Sequence, residues 1–314
     1  MMKQELYHMP VLLRECIDAL AVKPEGVYLD CTLGGGGHFR GIVERLDERG
    51  TAIGIDRDGE SIQRGKDHSA DAKPRLLFEQ CRFSAFDMVL KKYSIQSVDG
   101  ILIDLGVSSR QIDDLNRGFS YRADTKLDMR MNPEDTVTAE KIISRSTEEE
   151  LAAILNEYGD IQNPRRMANA IASFSRARAI TTSGDLRECL ENEYGAPVKY
   201  KVLSKVFQAL RIAVNNELDE IRACLSKTLR YLVKGGRLAV IAYHSLEDRI
   251  VKNFMRDNER RCVCPPHEPL CRCQKPGLLR RVNRKAIRAS RQEIQTNNRA
   301  RSAVLRVAEK VTDR

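Results

Sequence analysis

With 314 residues, of which 42% are hydrophobic and 31% charged, the chain can bury a substantial core in one large or two modest domains. No stretch approaches the ~20 apolar residues of a membrane span, and residues 1–10 lack the basic start and apolar run of a secretory signal, so we expect a cytoplasmic protein. The net charge of +9 is concentrated in residues 260–314, where 15 Lys and Arg oppose 4 Asp and Glu; this indicates a phosphate-bearing partner, although a solvated basic tail would have the same composition.

The first hundred residues alternate short β-prone runs with helix-compatible segments. Residues 27–32 form the first predicted strand, the four glycines at 34–37 a tight loop, and residues 38–48 a helix. Further strands are predicted at residues 51–56, 76–81 and 100–105. Strands that alternate with helices predict a doubly wound, Rossmann-like α/β fold with a parallel sheet and helices on both faces.

From about residue 113 the pattern becomes helical for roughly a hundred residues, with no convincing strand. Thr147 and Glu150 fit a capping box, and Pro164 marks another helix start. The predicted domains are the first part of the α/β domain at residues 1–112, an inserted all-helical domain at residues 113–216, and the second part of the α/β domain with its basic C-terminal segment at residues 217–314.

The second part of the α/β domain begins with a long helix that Gly235 and Gly236 are expected to end. Residues 237–243 then read as a return to the sheet, and residues 303–308 as a last strand. Between them, Ser245 resembles the cap of a further helix.

The nine cysteines do not predict a disulfide framework. Five stand alone in ordinary segments, as is typical of reduced thiols: Cys16, Cys31, Cys81, Cys189 and Cys224. The other four form two Cys-x-Cys pairs, Cys262 with Cys264 and Cys271 with Cys273. Four thiolates suit a structural zinc ion, but zinc ligands are usually separated by two or more residues, so a zinc site and four reduced surface thiols are both open interpretations.

The glycine loop indicates a ligand that the backbone approaches closely, because glycine leaves room where a Cβ would obstruct. Asp30 ends the preceding strand, as in nucleoside-binding methyltransferases, and the glycine spacing differs from the dinucleotide fingerprint. Asp56 ends the next strand, where a carboxylate can accept both hydroxyls of an adenosine ribose. A nicotinamide enzyme, or a plain loop with a capping aspartate, would show a similar pair.

Several unusual strings then occur together in order along nearly the whole chain, and they resemble the RsmH (MraW) family of small-subunit ribosomal RNA methyltransferases. The matching strings lie at residues 8–12, 30–38, 54–58, 104–109, 117–120, 127–131, 215–218 and 244–249. The resemblance implies methylation of N4 of one cytidine in the decoding region of 16S rRNA, with S-adenosylmethionine as cofactor. We expect the inserted helical domain to recognise the substrate.

The resemblance also implies which residues contact the cofactor: Gly36, Gly37, His38, Asp56, Phe83, Asp104 and Gln111. Two positions depart from the expected pattern, since Arg110 stands in place of a proline and Tyr243 in place of a phenylalanine. Neither is a residue that the resemblance assigns to the cofactor, so the departures bear on the shape of the local loops.

The reaction explains which groups are needed. The sulfonium already activates the methyl group, so the enzyme mainly aligns the amine, and no metal or covalent nucleophile is required. Because the N4 lone pair is delocalised into the cytosine ring, an acceptor near the amine favours attack and helps to remove the proton. Asp104 is the candidate for this catalytic role, for a cofactor contact, or for both. His244 is a second catalytic candidate in the target site, with a structural hydrogen bond as the alternative.

Two rival functions belong to other classes. A non-catalytic ribosome-assembly factor would keep the pocket only as part of its fold. A DNA cytosine-N4 methyltransferase is disfavoured, because Asp104-Leu105-Gly106 stands where such enzymes carry Pro-Pro-aromatic after the acidic or amide residue. The predicted partner is therefore the 16S rRNA of the small ribosomal subunit, with no DNA and no membrane, and a homodimer is one candidate for the oligomeric state.

Overall fold

The computed structural model describes residues 10–69, 72–259 and 277–312. The chain forms two compact units. We call residues up to Gly106 together with those from Leu218 onward the sheet unit, and Val107–Glu217 the helical unit. The boundaries between the two units therefore lie after residues 106 and 217, whereas the sequence predicted them after residues 112 and 216.

The helices are, in chain order, α1 (Leu13–Leu20), α2 (Gly37–Val43), α3 (Gly59–Asp67), α4 (Phe86–Lys92), α5 (Ser109–Asp113), α6 (Ala139–Arg145), α7 (Glu148–Gly159), α8 (Pro164–Ala177), α9 (Ser183–Tyr194), α10 (Tyr200–Asn215), α11 (Glu217–Tyr231), α12 (Ser245–Glu259) and α13 (Arg291–Thr296). Short 3₁₀ helices span Phe83–Ala85, Leu115–Arg117 and Asn298–Ser302. Among the residues that the structure describes, no helix has both the length and the apolar character of a membrane span.

The strands are β1 (Val27–Asp30), β2 (Thr51–Asp56), β3 (Arg75–Gln80), β4 (Val98–Asp104), β5 (Leu232–Ala242), β6 (Leu279–Arg281) and β7 (Val304–Lys310). Within the described residues they form one sheet in the order β3-β2-β1-β4-β5-β7-β6. The first five strands run parallel, and β7 pairs antiparallel with both β5 and β6. The doubly wound α/β fold is confirmed, but the expected all-parallel sheet is corrected to a mixed one.

Strand order explains where a ligand can bind. The chain moves outward from β1 to β2 and β3, then returns to β4 on the other side of β1. Loops after β1 and β4 therefore leave in opposite directions and open a crevice at the carboxyl ends of the strands, which is where ligands bind in open α/β sheets.

The sheet is stable because its central strands are buried on both faces. Side chains such as Ile53, Ile55 and Ile101 are completely buried, and each contributes about 1.5–3 kcal/mol relative to an exposed position. On one face, Ile17 of α1 and Phe39 of α2 belong to the same buried cluster as Ala52 of β2 and Leu102 of β4. The loops at the strand ends thus extend from a rigid base.

The expected end of the long helix at Gly235 is wrong. Helix α11 ends at Tyr231 and β5 begins at Leu232, so Gly235 and Gly236 lie inside the strand. Leu232 pairs with Val98, and a bulge separates this pair from the regular register that starts at Gly100 with Arg237. Gly235 has a φ of +81°, which fits an irregular strand segment.

The helical unit has its own core, and polar bonds tie its loops to that core. Its buried cluster includes Leu151, Ile171 and Phe207. The predicted capping box is confirmed, since the Thr147 hydroxyl and the Glu150 carboxylate each accept the other's backbone N–H. This reciprocal pair satisfies two N–H groups that the helix itself leaves free.

Asn215, which belongs to one of the strings that carry the resemblance, has a structural role in the helical unit. Its buried side chain donates to the carbonyl of Met129 at 2.7 Å and accepts from the N–H of Met131 at 2.9 Å. Asp128 and Arg130 beside it form an ion pair through a 2.6 Å contact. These strings therefore fix a loop of the helical unit.

Candidate active site

The carboxyl ends of the parallel strands carry the acidic residues of interest. Asp30 ends β1, Asp56 ends β2 and Asp104 ends β4, while Tyr243 and His244 follow β5. The register pairs Asp30 with Gly54, and Asp104 with Ile241. These groups therefore share one edge of the sheet, on both sides of the switch between β1 and β4.

The glycine loop is shaped as the sequence predicts. Gly36 adopts a left-handed conformation with φ +75° and is the residue before α2. A Cβ at Gly35 or Gly36 would meet no atom within 4 Å, so this part of the loop borders open space. At Gly37 a Cβ would lie 2.0 Å from Cγ of Pro10. Gly37 is thus required by packing, whereas Gly35 and Gly36 leave room for a ligand to approach the backbone.

Asp56 links the glycine loop to its own strand end. Its carboxylate accepts the N–H of Gly34 at 2.8 Å and the N–H of Asp58 at 2.8 Å, one on each oxygen. Burial raises the pKa of Asp56 to about 6, although the two hydrogen bonds lower it. Because each carboxylate oxygen has a further lone pair, Asp56 is held in place and can still accept hydroxyl groups.

His38 is a structural hydrogen-bonding residue through its side chain. The ring is only 6% exposed, and its Nε2 donates to the carbonyl of Val11 at 3.0 Å. Its Nδ1 lies 3.5 Å from Oδ2 of Asp104, and burial lowers the pKa of the imidazole. Since both ring nitrogens face protein groups, only the backbone of His38 is placed to meet a ligand.

Asp104 is anchored from two sides and remains accessible. Its Oδ1 accepts the hydroxyl of Tyr243 at 2.9 Å, and its backbone N–H donates to Oγ1 of Thr32 at 2.6 Å. Burial raises the pKa of Asp104 to about 7, the bond from Tyr243 lowers it, and the charge of Glu247 raises it. The side chain keeps 25% of its surface exposed. A carboxyl group that titrates near neutral pH and is open to a ligand is suited to proton transfer.

Asp30 has a feature that the sequence analysis did not assign to the site. It is 1% exposed, and Oδ1 accepts the N–H of Thr32 at 3.0 Å. Within the described part of the chain, Oδ2 has no hydrogen-bond partner although it is buried. Burial raises the pKa of Asp30 to about 7. Its position before the glycine loop was the available signal, but the unpartnered oxygen depends on how the loop folds.

His244 is paired with its own helix. Its Nε2 lies 3.0 Å from Oε1 of Glu247, and Oε2 of Glu247 accepts the N–H groups of Tyr243 and His244 at 2.8 and 3.1 Å. The expected cap at Ser245 is therefore wrong, because Ser245 is already the first helical residue; His244 precedes it with Nδ1 3.5 Å from the N–H of Glu247, while the Glu247 side chain reaches back to the backbone before the helix. A longer acidic side chain can reach back over the first turn, as in a capping box. The catalytic role of His244 stays a prediction.

The other predicted residues lie in different surroundings. Phe83 starts the 3₁₀ helix that follows β3 and is half-buried, at the same sheet edge as Asp56. Gln111 lies in the helical unit, where its Oε1 accepts the N–H of Ser108 at 2.9 Å in a capping box. Its Nε2 is 3.4 Å from the carbonyl of Met131. The cofactor role predicted for Gln111 stays a prediction, and its side-chain amide already has partners within its own unit.

The other candidate features are a cysteine cluster and a cavity. The four clustered cysteines, Cys262, Cys264, Cys271 and Cys273, lie outside the described residues. A cavity of about 760 Å³ lies beside the edge strand β3 and is lined by residues such as Gln63, Glu79 and Tyr93. None of the three strand-end aspartates lines this cavity, so the chemistry described above lies elsewhere.

The residues present fit a nucleoside with a charged sulfonium amino acid. Asp56 offers acceptors for ribose hydroxyls, the space beside Gly35 and Gly36 admits a ligand to the backbone, and Oδ2 of Asp30 offers a buried acceptor for an ammonium group. The glycine loop therefore brings together four of the predicted cofactor residues: Gly36, Gly37, His38 and Asp56. Asp104 lies next to this group, since its Oδ2 is 3.5 Å from Nδ1 of His38.

Comparison with known proteins identifies the family of the chain. Residues 5–311 match the model of the MraW methylase family. The ribosomal RNA small subunit methyltransferase H of Clostridioides difficile (strain 630) is 40% identical over 312 residues, covering 98% of this chain and all of that protein. The protein of the same name from Caldicellulosiruptor bescii is 42% identical over 305 residues, covering 97% and 99%.

Among solved structures, an rRNA methylase from Streptococcus thermophilus matches with 10% identity and a TM-score of 0.43, covering 97% of this chain and 99% of that one. A similarity of this size adds nothing to the assignment, which rests on the family model and on relatives of about 40% identity along their whole length. The chain belongs to the MraW methylase family.

Proposed function

We propose that this methyltransferase modifies the exocyclic N4 of a single cytidine in the decoding region of the 16S rRNA of the small ribosomal subunit. The observation that carries the proposal is Asp104, an accessible carboxyl at the end of β4 whose pKa burial raises to about 7. The names of the relatives support the RNA, since they are small-subunit rRNA methyltransferases.

S-adenosylmethionine is the methyl donor of this methylase family. We assign the ribose hydroxyls to Asp56, the close backbone approach to Gly35 and Gly36, and the ammonium group to Oδ2 of Asp30. An ammonium beside Asp30 would favour the carboxylate and lower its raised pKa, because an opposite charge stabilises the ionised form. When bound, the cofactor supplies a methyl group that a neutral amine can attack.

Asp104 then acts on the amine of the target base. An N–H of the cytosine amine donates to the Asp104 carboxylate, which orients the nitrogen for in-line attack and favours localisation of its lone pair. As the new bond forms, the nitrogen becomes acidic and Asp104 takes up the proton. The Tyr243 hydroxyl holds Oδ1 of Asp104 throughout. Oδ2, which lies 3.5 Å from Nδ1 of His38, is therefore the oxygen that faces the amine.

The basic C-terminal segment supplies contacts to RNA phosphates. Five of its cations are exposed and form no ion pair within the described residues: Arg284, Lys285, Arg288, Arg291 and Arg301. Other arginines in the segment are neutralised, such as Arg281 by Glu259 and Arg306 by Asp248. Exposed cations that retain their charge gain most from releasing counterions of RNA.

We assign substrate recognition to the helical unit. We place the protein in the cytoplasm, where the small subunit is assembled. A target base must be presented unstacked to reach the methyl group, so we expect base flipping or an open loop in the RNA. A homodimer stays a hypothesis, which light scattering of the purified protein can test.

The proposal can be tested by incubating unmethylated small subunits with the enzyme and S-adenosylmethionine, followed by mass spectrometry of the nucleosides. We expect N4-methylcytidine with the wild type and at least a hundredfold slower formation with Asp104→Asn, since a general base typically contributes 10²–10⁴-fold. Equal rates for the two proteins would remove Asp104 from the chemistry. A methyl group on another atom would reject the proposed target.

A further inference from the structure

Tyr200, the first residue of α10 in the helical unit, is unusually exposed for an aromatic side chain. Its side chain is 75% exposed, more than any other large hydrophobic residue that the structure describes. Lys199 and Lys201, its neighbours in the chain, are both exposed. An aromatic ring that remains largely in water offers a face to a partner.

The ring of Tyr200 adjoins an aromatic row that is anchored in the core of the helical unit. It lies 6.4 Å from the ring of Tyr121, at an interplanar angle of 45°. Tyr121 in turn packs edge-on against Phe207 at 5.3 Å, and Phe207 is 4% exposed. The row runs from the core to solvent, so Tyr200 is the outer member of a supported set of rings.

Tyr194, at the end of α9, provides a contrast within the same unit. It is 39% exposed, but the guanidinium of Arg166 lies 5.3 Å from its ring centroid. Arg166 is also paired with Glu193 at 2.6 Å. One face of Tyr194 is therefore covered by a cation that is itself fixed, whereas no such cover is found over Tyr200 within the residues described.

The charges around Tyr200 favour an anionic partner. Arg122, next to Tyr121 in the chain, is exposed like Lys199 and Lys201. In the described part of the structure, none of these three cations forms an ion pair. Two acids of the same unit already have cationic partners, Glu193 with Arg166 and Asp160 with Lys205.

We propose that this aromatic surface, formed by Tyr121 and Tyr200 and flanked by Arg122, Lys199 and Lys201, binds an unpaired nucleotide of the RNA substrate. The base stacks on Tyr200, and the adjoining phosphates contact the flanking cations. Aromatic rings beside cations form the usual platform for single-stranded nucleic acid, since any base has a face that can stack. The inference rests on the proposed action on RNA and adds to it a second contact, distinct from the target cytidine.

Binding of a short fluorescein-labelled oligocytidylate and of purified small subunits tests the proposal, with four proteins compared at fixed salt. Stacking on an aromatic ring is worth enough that Tyr200→Ala should bind RNA about tenfold more weakly than the wild type. Tyr200→Phe keeps the ring and should retain wild-type affinity. Tyr194→Ala removes an exposed tyrosine whose face is already covered and should change little, which makes it the matched control.

The flanking cations provide an independent measurement. Lys199→Ala combined with Lys201→Ala should reduce the slope of log affinity against log salt by about one to two, while cofactor affinity is unchanged. Because these side chains are exposed, the unfolding temperature of each variant should match that of the wild type.

The outcomes separate this inference from the proposed function. If Tyr200→Ala binds RNA as tightly as the wild type while both methylate small subunits, the aromatic surface is not an RNA contact and the proposed function stands. The surface is likewise rejected if Tyr194→Ala loses as much affinity as Tyr200→Ala. If the wild type neither binds RNA nor methylates it, both proposals fail.

Discussion

Replacing Tyr243 by phenylalanine should move the pH dependence of methyl transfer to higher pH. The substitution removes one hydroxyl, which donates to Oδ1 of Asp104 at 2.9 Å, and keeps the ring. Because this bond stabilises the carboxylate and not the neutral acid, its loss raises the pKa of Asp104 further above the value of about 7 to which burial brings it. The reaction needs the carboxylate, so activity should appear only at higher pH.

The size of the shift follows from the strength of the bond. A hydrogen bond to a charged group contributes about 1.5–3 kcal/mol, and one pKa unit corresponds to about 1.4 kcal/mol. We therefore expect the acidic limb of the rate profile to move upward by about one to two units. As the pH rises above the new limb, the rate of Tyr243→Phe should approach that of the wild type, since the ring and the carboxylate are both retained.

Other groups that face Asp104 stay in place in this variant. They are His38 from α2, Asp30 from β1, Glu247 from α12 and Cys16 from α1. Of these, Glu247 raises the pKa of Asp104 together with burial, so it helps to set the baseline from which the loss of the hydroxyl is measured.

Single-turnover rates between about pH 5.5 and 9.5, with ¹³C NMR titration of the aspartate carboxyls, measure the limb and the pKa separately. Tyr93→Phe is the matched control, because it removes a hydroxyl that donates to Glu79 at 2.5 Å on the edge strand β3. An unmoved limb in Tyr243→Phe would refute the reasoning, as would an equal shift in Tyr93→Phe. If the NMR pKa moves and the limb does not, Asp104 is not the group that limits the rate.

Three further substitutions have distinct expected results. Asp56→Ala should weaken S-adenosylmethionine binding at least tenfold in a folded protein, by loss of two charge-assisted hydrogen bonds to the ribose; calorimetry that finds unchanged affinity would remove Asp56 from the site. Asp104→Asn should lower turnover far more than cofactor affinity. The same variant should also unfold at a higher temperature than the wild type above pH 7. In the wild type, the folded pKa of this carboxyl is raised from 3.8 to about 7, so its contribution to stability is lost as the pH rises through that range, whereas the Asn side chain does not titrate. Equal unfolding temperatures at pH 8 would contradict the raised pKa. Arg284→Ala with Lys285→Ala should reduce RNA affinity and its salt dependence without changing cofactor affinity; an unaltered salt slope would show that these two residues do not face the RNA.

The sequence predicted those features that depend on local pattern. β2 was predicted residue for residue at Thr51–Asp56, because a run of only six residues between glycine and acidic residues is too short for a typical helix and fits a buried strand. The cap at Thr147 follows from two residues three apart. The placement of Asp56 beside the glycine loop follows from the parallel topology, since carboxyl ends of adjacent parallel strands meet at one edge.

Features that depend on tertiary pairing were not predicted. Strand β6 is three residues long and has no periodicity to detect, and β7 runs antiparallel because it returns beside β5. The start of β5 at Leu232 depends on a bulge opposite β4. Residues distant in the chain also meet at the site: Tyr243 reaches Asp104, and the ring of His38 lies between Val11 and Asp104.

The central claim is tested most directly by nucleoside analysis of small-subunit RNA from cells that lack this protein, compared with the same cells that carry the wild-type chain or Asp104→Asn. The account predicts that one N4-methylated cytidine in the decoding region disappears without the protein and returns with the wild-type chain. With Asp104→Asn it should form at less than about one hundredth of the wild-type rate. An unchanged set of methylated cytidines in the small subunit, or a lost methyl group in transfer RNA or DNA instead, would contradict it.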